Sequence, residues 1–465
     1  MRWAAIVVLA STACSNPEGG EASRRASAQT PSSGVERALG GTPSELDRWS
    51  DPWILQEGRR FLGDTDYRRA ALARSLTNHD NVYSRLRLST YGLGGAGWDK
   101  LPVWNPRSMP VDAALAAQLA EGAIPEVGAE HEPLWDGVEP TTMAGWVELG
   151  RRVFFEYPMR AEVFLEFGLT RRELADAVGV ERTASGDLPG VIVFRNVDGE
   201  SRVGMTCAIC HSAVRDGELV AGAARRSFDY GRLRLAYFAE TGEYLAPDLA
   251  ERMKTWGPGR ADVSEDDDED PVAIPDLWGV RSQSWLTQAG TIRHESPIAL
   301  AIRQETQLTD SNHALVRPPR ELAWALAMYV YSLAPPPRAP SSSPDSQLAR
   351  GGVVFAEKCG RCHANAAYGG RVIAAGTIGT DRELAVGRGR GTGGYRVPPL
   401  LAVGDGAPYL HDGSVASLEE LLSPDRLGGD YKGGELGPGP LLGHTAGTEL
   451  VPTDRLALLA FLQTL

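Results

Sequence analysis

The chain has 465 residues, enough for two or three domains that each bury a core. Its 42% hydrophobic and 23% charged residues are ordinary for a water-soluble globular protein, which excludes a disordered or fibrous chain. A net charge of −13 without any basic tract argues against nucleic acid or an anionic lipid surface as partner.

Read in order, the chain opens with Arg2, the apolar run from Trp3 to Ala10, and Cys14. That run is too short to span a bilayer and has the pattern of an export signal. Residues 1–14 are therefore expected to be a signal peptide of lipoprotein type, with Cys14 as the acylated residue. The expected location is the periplasm or the outer cell surface, with membrane contact only through that anchor. Residues 15–43, poor in large apolar side chains, form a flexible tether.

From 44 to 142 the composition turns globular. A helical pattern runs through Trp53, Ile54, Phe61 and the Ala70–Leu76 stretch, and a strand-like alternation follows from Val82 to Leu88. This N-terminal extension is expected to pack on what comes after it. From Met143 the pattern becomes an amphipathic helix, Gly145 to Phe155, with a further helix predicted at Thr170–Val178 and a strand at Val191–Phe194. These lead into Cys207-Ala-Ile-Cys210-His211.

The same plan then recurs. Leu348 to Phe355 has helical spacing and runs directly into Cys359-Gly-Arg-Cys362-His363. Pro275-Asp-Leu-Trp-Gly279 parallels Pro398-Pro-Leu-Leu-Ala402, and Ala289-Gly-Thr291 parallels Asp412-Gly-Ser414. Each unit closes on an apolar helix, Arg320 to Leu333 and Thr453 to Leu465. A Pro/Ser linker at 339–346 divides a first unit, 143–338, from a second, 345–465, while the acidic run 265–270 reads as a solvated loop.

Two thiols spaced as CxxC can add to the two vinyl groups of one haem, and the histidine that follows presents its imidazole to the iron. A zinc site would need a second CxxC or a paired histidine motif, and a disulfide needs no histidine after each pair. Cys207, Cys210, Cys359 and Cys362 are thus expected to carry two covalently attached haem c groups, with His211 and His363 as axial ligands. Covalent attachment of this kind agrees with export.

Activity turns on the opposite face of each iron. A haem with two strong protein ligands passes electrons, whereas an open position can bind peroxide or dioxygen. No methionine follows Cys359, so the strong ligands available downstream are His411 and His444.

Tyr395-Arg-Val-Pro-Pro-Leu400, Ala407-Pro-Tyr-Leu-His-Asp-Gly-Ser-Val415 and Leu418-Glu-Glu-Leu-Leu422 resemble the C-terminal haem domain of the bacterial di-haem cytochrome c peroxidase superfamily. The element Gly443-His-Thr-Ala-Gly-Thr-Glu-Leu450 resembles its rubber-oxygenase-type branch, in which this histidine is the distal ligand. The resemblance is good over 345–465, fair over 143–335 and absent before. It implies a mainly α fold with two cytochrome-c-like haem domains in tandem after the extension, with His444 opposite His363 and His411 near that haem's edge.

For the first haem, aligning the closing helices brings His313 near the position equivalent to His444, as a candidate ligand opposite His211. The alternative is an open face lined by Trp278 and Trp285. There His294, Gln304 and Glu305 are candidate acid–base groups, the last two because peroxidases of the superfamily carry a glutamine and a glutamate in a comparable region. The expected function is an oxidoreductase that passes electrons between a bis-histidine haem and a first haem activating peroxide or dioxygen. Its partner would be a redox protein or that small oxidant. The alternative is an electron-transfer cytochrome with both haems six-coordinate.

Overall fold

Helices carry most of the regular structure, and the strands are short. The computed structural model describes residues 47–89, 98–262, 269–338 and 340–465. The signal peptide, Cys14, the tether and most of the acidic run lie outside the described residues. Contacts within 43–465 make a single unit. Among the described residues no helix is long and apolar enough to cross a membrane.

The extension supplies α1 (Asp51–Gly63), α2 (Thr65–Ser75) and α3 (Val82–Leu88). Asn81 caps α3 by accepting from the Ser84 N–H at 2.8 Å. Here the structure differs from the strand-like reading. Alternation would bury Ser84 and Leu86 together, whereas Tyr83, Ser84 and Arg87 are buried and Leu86 is 46% exposed. That is the spacing of one helical face. The amides of Val82 and Tyr83 at the open start of α3 donate to the carbonyls of Arg388 and Gly389, so a loop of the C-terminal segment finishes the cap.

Two long helices, one before the first CxxCH and one well after it, pack on each other. In α4 (Met143–Glu156), Trp146, Gly150, Val153 and Phe154 form the buried stripe and Thr142 is the N-cap. After α5 (Pro297–Ser311) comes α6 (Arg320–Ser332), an almost wholly buried helix that α4 crosses. The crossing is close because Gly150 has no side chain: a Cβ there would lie 1.9 Å from the Ala325 carbonyl oxygen. The far side of α6 faces the extension, where the Phe61 and Trp324 rings stack at 5.8 Å. Burying residues such as Ile54, Phe61, Leu72 and Leu76 contributes roughly 1.5–3 kcal/mol each, so the extension is held on mainly by apolar burial.

The second CxxCH repeats this geometry. The helix before it, α7 (Asp345–Lys358), crosses α8 (Pro452–Leu462). A Cβ on Gly351 would lie 2.1 Å from the Ala457 carbonyl oxygen and 2.6 Å from the Phe461 Cβ, as one on Gly150 would lie 2.7 Å from the Tyr329 Cβ.

Among the described residues the largest sheet joins a strand of the extension to three strands of the first segment. β1 (Ser108–Pro110), β2 (Arg160–Ala161), β3 (Val191–Arg195) and β4 (Ser201–Met205) pair antiparallel in the order β1-β3-β4-β2, with Val193 opposite Val203. Residues 191–194 are fully buried, as expected of an inner strand of β-branched and aromatic residues. The end of β4 delivers the chain, two residues later, to Cys207.

Candidate haem sites

At the first site Thr206 N–H donates to the Gly190 carbonyl at 2.9 Å, and a single helical turn, Ala208–His211, follows. Gly190 (φ +89°) stands so close that a Cβ would lie 2.1 Å from the Ile209 nitrogen. One turn of helix puts residues three and four apart on a shared face, so Cys207, Cys210 and His211 point the same way.

Both thiols are free and half-buried, and desolvation pushes each up to about 11, with the Arg303 charge opposing at Cys207 and the Arg225 charge at Cys210. His211 Nδ1 lies 3.1 Å from the Pro275 carbonyl oxygen. A carbonyl can only accept, so Nδ1 carries the proton and Nε2 keeps its lone pair free for a metal. Desolvation pulls this imidazole down to about 4, which keeps it neutral.

The second site is built the same way from the end of α7. Cys359 N–H donates to Phe355 O at 2.8 Å, and His363 N–H to Cys359 O at 3.0 Å, which again makes one turn. His363 Nδ1 is 2.6 Å from the Tyr368 carbonyl oxygen, and desolvation pulls the ring down to about 4.

Opposite it stands His444, whose ring centroid is 6.4 Å from that of His363 at an interplanar angle of 67°. Two imidazoles bound to one metal at about 2.0–2.1 Å have centroids about 6.3 Å apart. The separation is therefore compatible with both rings binding one metal. His444 sits at φ +45° on the loop after Gly443, its N–H donates to the Ile378 carbonyl at 2.9 Å, and its Nδ1 is buried without a partner. Burial lowers its pKa as well. His411 is engaged elsewhere. Its ring lies 4.2 Å from that of Tyr395, and Nε2 is 3.1 Å from the Tyr395 hydroxyl and 3.7 Å from an Asp381 carboxylate oxygen.

The paired free thiols, the oriented Nδ1 groups and the His363–His444 separation fit two covalent haems. Cys207, Cys210 and His211 would hold one, and Cys359, Cys362, His363 and His444 the other.

No ring contact links another histidine to His211 among the described residues. His313 lies in the exposed turn that ends α5, at φ +57°. His294 is 3% exposed; its Nδ1 lies 2.7 Å from the Gln283 carbonyl oxygen, its Nε2 bonds the Tyr331 hydroxyl, and its ring packs 5.0 Å from Trp49. Glu305 is fully buried and paired with Arg320 at 3.2 Å, and the Gln304 side-chain oxygen accepts from Arg303 at 3.1 Å. Trp278 donates to the Ala221 carbonyl, and Trp285 lines a surface pocket with Trp49 and Arg48.

Sequence reasoning missed two arginines. Arg303, on α5, has its own pKa lowered by burial, and its charge acts on Cys207 and His211. Arg426, discussed below, is fully buried beside the His444 loop. Neither lies in a motif that would have marked it.

A family model described as RoxA-like, cytochrome c-like matches residues 394–428, which include Tyr395, Pro398, His411 and Arg426. The resemblance read from the motifs after Tyr395 is thus met over this stretch. Among solved structures the chain is similar to a MauG-like protein associated with microbial copper homeostasis. The two share 20% identity over 44% of this chain and 76% of that one, with a TM-score of 0.30. Comparison with curated protein sequences gives no match.

Proposed function

We propose that this chain is an exported di-haem c-type oxidoreductase. One haem, on Cys359 and Cys362, would be held between His363 and His444 and pass electrons. The other, on Cys207 and Cys210, would have His211 as its only histidine ligand. Covalent haem supplies reversible one-electron chemistry and, where one iron face is free, binding of peroxide or dioxygen.

The chain's own residues set this division. The carbonyls of Pro275 and Tyr368 fix the tautomer of each proximal imidazole. At the first site Arg303 is the charged donor that α5 offers, and a donor near a ligand-binding face favours ligands that carry developing negative charge. The partner is then a small oxidant or a basic redox protein, the latter suited to the acidic surface. Export with acylation at Cys14 belongs to the same proposal, since thioether attachment takes place outside the cytoplasm.

The observation that carries this reading is the contrast between the two imidazoles: His363 has a second ring at ligand spacing, whereas His211 has none among the described residues. Denatured protein should stain for two haem equivalents. Ferric paramagnetic resonance should show one low-spin and one high-spin species, and the reduced protein should bind one equivalent of carbon monoxide. Two low-spin irons, both inert to carbon monoxide, would replace the oxidoreductase with the electron-transfer cytochrome.

A further inference from the structure

Arg426 lies in a short turn, Pro424–Leu427, and its side chain is fully buried. Its Nε donates to the Leu421 carbonyl at 3.0 Å and its Nη1 to that of Leu441. Nη2 reaches the carbonyls of Gly443 at 2.8 Å and His444 at 2.9 Å. The main chain adds a reciprocal bond, Leu441 N–H to Arg426 O at 2.7 Å. No carboxylate forms an ion pair with Arg426 among the described residues: four backbone carbonyls take its hydrogen bonds, and the Glu420 charge acts on it only from a distance.

A buried cation without a counter-ion is costly, and lysine could not stand in, because only guanidinium offers five donors in a rigid planar fork. What the fork holds is the peptide on either side of the ligand residue. Within this loop Leu441 is buried whereas Leu442 is 55% exposed, so apolar anchoring ends at Leu441, short of His444. Gly443, at φ +85°, passes so close to Thr380 that a Cβ would lie 2.3 Å from its nitrogen, which sets the other wall.

We propose that Arg426 is the positioning residue for the sixth ligand of the second haem. It clamps the 441–444 loop so that His444 faces His363, and its fixed charge raises the potential of that haem. This rests on the reading of His444 as a ligand.

The test uses the full chain with both haems attached, comparing R426Q, R426K and H444A. R426Q should lose the low-spin signal of the second site severalfold, take up a second equivalent of carbon monoxide when reduced, and recover the low-spin signal when free imidazole is added. R426K, which keeps the charge but cannot span four carbonyls, should lose part of that signal while holding its potential nearer to wild type.

If H444A loses the signal and R426Q keeps it, the clamp is refuted and the ligand assignment stands. If H444A keeps the signal, the ligand assignment itself falls and the clamp with it. Should R426Q not accumulate as folded protein, R426K and a urea titration of the unaltered chain decide. A clamped ligand leaves only when helical circular dichroism is lost, and departure well before that overturns the proposal.

Discussion

Around His211 and His363 the chain uses one construction twice: a helix crosses a closing helix at a glycine, a single turn carries two thiols and a histidine, and a backbone carbonyl holds the imidazole Nδ1. Opposite those imidazoles the two segments part. The second presents His444 on a loop clamped by Arg426. The first shows no second ring beside His211 among the described residues; the charge of Arg303 on α5 acts on that imidazole, while Gln304, Glu305 and His294 are committed to other partners. The proximal half of such a site is local in sequence and so repeats readily. The distal half is borrowed from distant segments and is free to differ, so two sites with similar proximal halves can take on different work.

The sharpest way to break this comparison is at the helix crossings. Replacing Gly150 or Gly351 by alanine puts a Cβ against a backbone carbonyl, at 1.9 and 2.1 Å respectively, that cannot swing aside. Each change should destabilise its segment by about 2–3 kcal/mol despite the better helix propensity of alanine, measured as a lower denaturant midpoint. A large loss at one glycine and none at the other would mean that the halves are not built alike.

A second, smaller effect concerns acid. His294 is held by burial at about 4, below its ordinary range, and the groups bonded to it, the Gln283 carbonyl and the Tyr331 hydroxyl, carry no charge at acidic pH. The unfolded chain therefore takes up a proton there first, and stability falls as pH drops from about 6.5 toward 4, by roughly 1–2 kcal/mol at pH 5. H294Q should flatten this part of the stability–pH profile. An unchanged slope would show that His294 is not buried neutral between Trp49 and Tyr331.

The smallest expected effect sharpens the asymmetry between the halves. Asn81→Ala removes the α3 cap and a hydrogen bond to the Gly391 carbonyl, and should cost about 1 kcal/mol by thermal melting. Because α3 carries Arg87, whose charge acts on Arg303, the spectrum of the first haem should shift while that of the second stays constant. A shift confined to the second haem would assign the extension to the wrong site.

Much of this was legible before any coordinates. The cysteine–histidine pentapeptides and the helices that precede them are readable because they depend on spacing along one stretch of chain. The parallel between Pro275 and Pro398 does not extend to the carbonyl that takes the imidazole Nδ1, which is that of Pro275 at one site and of Tyr368 at the other. The extension was harder. Val82 to Leu88 alternates well enough to pass for a strand, and only the capping by Asn81 and the carbonyls of a loop some three hundred residues away makes it a helix. Likewise Gln304 and Glu305 sit in a helix with the right composition for peroxide chemistry, yet Arg320 and Arg303 take up their polar groups.

By itself, then, the sequence determined which thiols can carry haem and which histidine follows each pair, because two cysteines and the adjacent histidine fit within one helical turn. Only tertiary structure decided what stands opposite. A ring at ligand distance depends on bringing residue 444 across from residue 363 within a few tenths of an ångström. Gly443 packed on Thr380 and the buried Arg426 guanidinium hold the backbone at 443–444, and no local pattern encodes either.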